Sequence, residues 1–214
     1  MILESGQQMS DKMIAGLDND GMRALDAATW IASNNFNGRI DLIRHGDELQ
    51  VVGTDCYILV SSLVSCQFDS WPDGECVSFS NFNCEAGAIR RLLKRVKKYT
   101  SQAVVLTVED DGADVRTLHV ETTDESCFSM RVCFKLLPVN RLNLEKFSDM
   151  VDCTPEGHVS MSDSTLKMIG KLVKKVSWYC STWTFNDRGP LHAFDIRRHD
   201  GKAYIIAMPV RAEQ

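Results

Sequence analysis

No C-x-x-C pair occurs in this sequence, although it holds eight cysteines, at 56, 66, 76, 84, 127, 133, 153 and 180. The spacings that build tetrahedral zinc sites are therefore missing. There is no glycine-rich phosphate loop and no G-x-S-x-G elbow. Five histidines, at 45, 119, 158, 192 and 199, are scattered, and none stands at metal-ligand spacing from a cysteine or carboxylate. Glu109-Asp110-Asp111 is the one acidic cluster that invites a cation, and it falls where the pattern expects a hairpin turn, as a solvated acidic tip. These gaps leave no catalytic set, no metal site and no cofactor to expect, so the chain does not read as an enzyme. No apolar run approaches the about 18 residues of a membrane-spanning helix. Met1-Ile-Leu-Glu-Ser-Gly-Gln-Gln lacks the basic and then apolar regions of a secretory signal. The expectation is a cytoplasmic protein without a membrane partner, its cysteines reduced. Cys56, Cys127 and Cys133 sit in apolar strand-like runs, where a thiol behaves as a small hydrophobe.

What the sequence does have is concentrated charge. The chain is 44% hydrophobic and 25% charged, an ordinary globular balance, with a net charge of −5. Within Glu85–Tyr99, a period of 3.6 puts Arg90, Arg91, Lys94, Lys97 and Lys98 on one arc, with Arg95 at its border. Ile89, Leu92, Leu93 and Val96 fall on the opposite arc. Ser164–Val176 repeats the plan, with Lys167, Lys171, Lys174 and Lys175 facing away from Leu166, Ile169, Val173 and Val176. The first helix holds six and the second four of the 24 Lys and Arg. Cations gathered on two helices of an acidic chain suit a surface that meets a polyanion. They also suit two ordinary amphipathic helices with solvated outer faces, and this pattern alone leaves both readings open.

Around these helices the chain repeats. Residues 13–68 read as a short strand (Met13-Ile-Ala-Gly), a helix capped by Asp20, and three strands. That helix is almost uncharged after Asp26, and Asn34–Gly38 ends it. The strands are Arg39–Arg44, Glu48–Gly53 and a third starting at Cys56. Residues 75–135 follow the same order around the first basic helix. A third β-α-β-β-β stretch starts near His158, with Ser162 or Asp163 as its cap. Leu142–Asp152 reads as a short helix between them. The fold class is α+β, built from repeated β-α-β-β-β units.

With the repeat in view, three short segments resemble the bacterial DNA polymerase III β sliding clamp family. Gly53-Thr54-Asp55-Cys56-Tyr57-Ile58-Leu59-Val60 resembles the family's Ala-Thr-Asp-Gly-His-Arg-Leu-Ala segment, with Cys56, Tyr57 and Ile58 where the family has Gly, His and Arg. Phe134-Lys-Leu-Leu-Pro138 is similar to the segment that leaves the family's middle domain. Tyr204-Ile-Ile-Ala-Met-Pro-Val-Arg211 is similar to its C-terminal Tyr-Val-Val-Met-Pro-Met-Arg. The resemblance implies antiparallel sheets with inner helices. It divides the chain into residues 1–138, a clamp domain of two units like the middle β-clamp domain, and 139–214, a reduced second domain with one clear unit. The unit number is smaller than the family's, closer to viral two-domain clamps and in keeping with a phage-encoded reduced form. About four copies would match the full ring.

That resemblance implies a processivity factor that encircles duplex DNA without reading sequence. Arg90, Arg91, Lys94, Lys98, Lys167, Lys171, Lys174 and Lys175 would face the phosphates. A peptide pocket would form at Thr54, Tyr57, Leu59, Pro138, Met208, Pro209, Val210 and Arg211, taking short motifs of DNA polymerase and clamp-loader-like proteins. Homo-oligomers are implied. Two alternatives stand beside it: a clamp-derived interaction protein that forms no ring and binds replication or recombination partners, and an unrelated α+β domain with a basic face.

Overall fold

The computed structural model describes residues 12–81, 84–96, 103–110, 116–123, 130–135, 161–176, 181–186 and 193–207. The first unit is β1 (Met13–Leu17), α1 (Asn19–Ala32), β2 (Arg39–His45), β3 (Glu48–Thr54) and β4 (Ile58–Asp69). The second is β5 (Cys76–Ser80), α2 (Glu85–Val96), β6 (Ala103–Asp110), β7 (Arg116–Thr123) and β8 (Met130–Lys135). The third shows α3 (Asp163–Lys175), β9 (Ser181–Asn186), β10 (Ala193–Arg198) and β11 (Ala203–Ala207). The short helix expected over Leu142–Asp152 lies outside the described residues. No helix among the described residues is long and apolar enough to cross a membrane.

Among the described residues every strand pairing is antiparallel, and the first two units exchange their opening strands. β1 lies between the end of its own β4 and β6 of the second unit, pairing the latter from Met13↔Val108 to Leu17↔Val104. β5 reciprocates on β2, from Arg39↔Ser80 to Ile43↔Cys76. Each meander of three strands is thus completed by a strand from the other unit, which ties the two units into one body. β4 is long enough to serve two sheets. Its first part pairs β3 and β11, while Cys66–Asp69 pairs β1. Sheet order is β5-β2-β3-β4-β1-β6-β7-β8, with β11, β10 and β9 continuing outward from β4.

Helix α1 begins two residues earlier than the sequence suggests. Asp18 is the cap, its Oδ1 accepting the Gly21 N–H at 2.8 Å, and Asp20 sits in the first turn paired with Arg23. The helix is buried almost all round, because it lies on β3 and β4 with α2 on one flank and α3 on the other. From Ala24 on such a helix has no solvated face to charge, which explains why Asp26 is the last charge in it. The seat needs a glycine: a Cβ on Gly53 would stand 2.4 Å from the Ala28 Cα, so only hydrogen fits there. On α2, Ile89, Leu92 and Leu93 are fully buried, each worth about 1.5–3 kcal/mol of transfer free energy. On α3, the Ser162 Oγ accepts the Thr165 N–H at 3.2 Å, and Ile169, Leu172 and Val176 carry the burial. Leu166, expected on the apolar stripe, is 45% exposed.

Three further expectations are corrected. Strand β4 starts at Ile58, and Cys56 is no core hydrophobe: it is exposed in the preceding turn, at φ +77°. Cys84 is exposed as well, whereas Cys76 is buried. Cys66 is half-buried, and burial together with the nearby Asp18 carboxylate pushes its thiol up to about 11. Glu109 and Asp110 belong to strand β6 and not to a turn. The Glu109 carboxylate meets Lys12 at 2.8 Å and His119 at 3.3 Å.

Candidate nucleic-acid interface

The two cationic helices are brought onto one face by helix α1 between them. α1 contacts both α2 and α3, so side chains that leave α2 and α3 toward each other meet above α1. There they line a cleft of about 400 Å³ formed by Trp30 of α1, Arg90 of α2, and Lys171, Lys174 and Lys175 of α3. Trp30 is 8% exposed, and its ring forms part of the wall. The sequence places Arg90 some eighty residues before the three lysines; packing on α1 puts them in one pocket.

These four cations are not equivalent. Lys175 is half-buried, and its Nζ lies 2.8 Å from Asp26 Oδ2 and 5.8 Å from the centre of the Trp30 ring. Asp26 is a buried carboxylate, and a carboxylate removed from water needs a counter-charge. Lys175 therefore ties α3 to α1, and its charge is already partly neutralised. Arg90 is half-buried, with its Nε buried and without a hydrogen-bond partner among the described residues. Lys171 and Lys174 are exposed. The remaining residues named from the sequence extend this face: Arg91 and Lys94 are exposed on α2, and Lys167 is exposed on α3. They do not line the cleft. Lys98 lies outside the described residues.

Two exposed cations, one half-buried cation and one tethered cation around a partly aromatic cleft favour an anion with several negative oxygens, since each cation raises the potential felt by the next. The sequence reading missed Trp30 and Asp26. Asp26 carried a signal, as the last charged residue of its helix, with Asp20 and Arg23 before it and none after. Trp30 did not, because a tryptophan between Thr29 and Ile31 reads as core.

The second set of residues centres on the turn between β3 and β4. Asp55 is buried, and its Oδ1 accepts the N–H of Tyr57 at 2.9 Å and of Ile58 at 2.7 Å. Thr54 Oγ1 accepts the Cys56 N–H at 3.1 Å, and Asn35 Nδ2 donates to the Asp55 carbonyl at 3.2 Å. This pinned turn leaves Tyr57 65% exposed, while Leu59 is buried. Strand β11 runs beside it, with Ile206 opposite Leu59 and Ala207 opposite Ile58. The last described residue of β11 thus ends next to Tyr57. Pro138, Met208, Pro209, Val210 and Arg211 lie outside the described residues. Among the described residues no group of three or more His, Cys, Asp or Glu is placed to hold a metal ion.

Units that exchange their first strands, sheets that continue through unit-ending strands, and helices gathered on one face define a clamp-type architecture. The solved structures agree. The chain is similar to the C. crescentus β sliding clamp, with a TM-score of 0.58 at 12% identity, covering 95% of this chain and 66% of that one. The Bacillus subtilis DNA polymerase sliding clamp gives 0.57 at 11%, over 94% and 64%. That of Pseudomonas aeruginosa gives 0.56 at 11%, over 94% and 65%. The chain has the α+β fold of these DNA polymerase sliding clamps, and at such identities the likeness is one of fold. It spans just under two thirds of their length. No family model and no curated protein matches the sequence.

Proposed function

We propose that this chain is a reduced sliding clamp: a non-enzymatic processivity factor that encircles duplex DNA as a homo-oligomer and tethers DNA polymerase, working in the cytoplasm. Residues 1–138 form its two-unit domain and 139–214 a reduced second one. The observation that carries the reading is the convergence of Arg90 with Lys171 and Lys174 over Trp30, on the face formed by α1, α2 and α3. Lysine and arginine heads on flexible stems attract phosphates without reading bases, which gives a salt-dependent affinity free of sequence preference and lets the ring move. The net charge of −5 leaves the rest of the molecule repelling DNA. Lys175 stands apart from the other proposed DNA contacts because Asp26 holds it.

Polymerase and clamp-loader-like proteins would dock short hydrophobic motifs at Tyr57 and Thr54, where β11 ends beside the turn, with Leu59, Pro138 and Met208–Arg211 completing the pocket. The test is topological. The assembled protein, loaded on circular DNA, should stay bound and should be shed when the circle is cut, because a ring slides off free ends. Lys94→Glu with Lys171→Glu should abolish retention while leaving the fold intact. Equal retention on linear DNA would instead favour a basic-faced binding domain. A second reading is an interaction protein that closes no ring and binds replication or recombination partners. It predicts no retention on circles but unimpaired capture of polymerase-derived peptides.

A further inference from the structure

Arg90 of α2 and Lys171, Lys174 and Lys175 of α3 share one cleft over Trp30, and no carboxylate is among the residues that line it. Asp26 answers Lys175 at 2.8 Å from beside the cleft, which leaves the charge of the other three for a ligand. At about 400 Å³ the cleft falls within the range of small-molecule sites. Cations gathered in so small a space repel one another, and an anion that bridges them relieves the repulsion.

Two features choose the anion. The first is span. Packed helix axes lie about 8–10 Å apart, and α2 and α3 stand on opposite flanks of α1. Arg90 and the lysines therefore enter the cleft from opposite walls. A lone phosphate satisfies one wall, whereas a chain of linked phosphates reaches both. The second is Trp30. Its ring is 8% exposed, and the Lys175 Nζ lies over it at 5.8 Å from its centre, so the ring has no free face on which a nucleobase could stack. Recognition falls to the phosphates. Linked phosphates also pack charge more densely than a DNA strand, whose phosphates are spaced apart by sugars.

We propose that this cleft binds a chain of linked phosphates, of triphosphate length or longer, as free polyphosphate or as the tail of a nucleoside triphosphate, without reading a base. Arg90 supplies a planar fork suited to two phosphate oxygens, and Lys171 and Lys174 supply point charges on flexible stems. Lys175 stays with Asp26 as the fixed wall. The site goes beyond the DNA reading and stands without it. A chain that binds tripolyphosphate but is not retained on circular DNA loses the clamp reading and keeps this one.

Calorimetric titration of the full chain at low salt, without DNA, tests it with inorganic tripolyphosphate, orthophosphate, ATP and GTP. Tripolyphosphate should bind one per chain and about tenfold more tightly than orthophosphate, while ATP and GTP should bind alike. Affinity for ATP equal to that for tripolyphosphate identifies the nucleotide tail as the ligand, and tripolyphosphate well ahead of ATP identifies the inorganic chain. Both support the proposal. Absence of tripolyphosphate binding, orthophosphate bound as tightly, or a preference between ATP and GTP overturns it. Arg90→Gln and Lys171→Gln should each weaken tripolyphosphate about tenfold. Lys202→Gln removes an equal charge from an exposed residue outside the cleft and should leave the affinity unchanged. Lys171 is exposed, so its variant tests the site even if Arg90→Gln fails to fold. Unchanged binding in Lys171→Gln, or an equal loss in Lys202→Gln, overturns the proposal.

Discussion

Helices α1 and α2 hold equivalent places in two units of one plan, yet one carries no charge beyond Asp26 and the other is the most cationic stretch of the chain. Topology does not separate them; their neighbours do. α1 has sheet beneath it and a helix on each flank, so almost every side chain of Gly21–Ala32 is buried. α2 buries Ile89, Leu92 and Leu93 and leaves Arg91 and Lys94 in solvent. The charge pattern of a helix here reports its position in the row, and the buried helix is what lets the cationic ones converge.

That contrast can be broken or sharpened by substitution. The largest effect is expected at Gly53, where Ala28 backbone atoms occupy the space a side chain would need. Gly53→Val should lift α1 from its sheet and cost about 3 kcal/mol, in the range of overpacked cores. Chemical denaturation would measure this, and a loss near zero would mean that α1 is not seated as described. Next comes Asp26→Asn, which removes the carboxylate that holds Lys175. Because Lys175 keeps some exposure, the expected cost is about 1–2 kcal/mol, below that of breaking a fully buried pair. The same change frees a cation beside the cleft, so affinity for duplex DNA should rise while stability falls. Parallel loss of both would show Asp26 to be structural alone. The smallest change is a gain. Cys56 stands at φ +77°, where a non-glycine residue is strained, and the clamp segment that it resembles has glycine there. Cys56→Gly should stabilise the chain by up to about 1 kcal/mol, since relief of strain outweighs the added freedom of the unfolded chain.

The repeat and both basic helices are legible in the sequence because amphipathic spacing is local: Ile89, Leu92 and Leu93 announce a buried stripe without knowing what covers it. The exchange of β1 and β5 between units is not legible. A strand alternates in the same way whichever meander it joins, and Met13–Leu17 pairs with residues about ninety positions away. The two halves of the cleft read clearly as cationic faces, but their meeting over Trp30 depends on helix packing. Lys175 looked like its neighbours because its partner Asp26 lies 149 residues away. The turn at Cys56 was misread for a related reason. Apolar residues on its C-terminal side extend a strand pattern back through it, whereas the buried Asp55 carboxylate, binding two N–H groups, fixes a turn there.

The most direct measurement of the central claim, that α2 and α3 present one phosphate-facing surface, is the salt dependence of duplex DNA affinity. It would be read for wild type, Arg90→Gln, Lys171→Gln and the double variant. Each phosphate contact contributes about 0.9 to the slope of log affinity against log salt. Each single change should lower the slope by about that amount, and the double change should lower it by both, equally for DNA of any sequence. A slope that either single variant leaves unchanged would take its helix out of the DNA path and contradict the account.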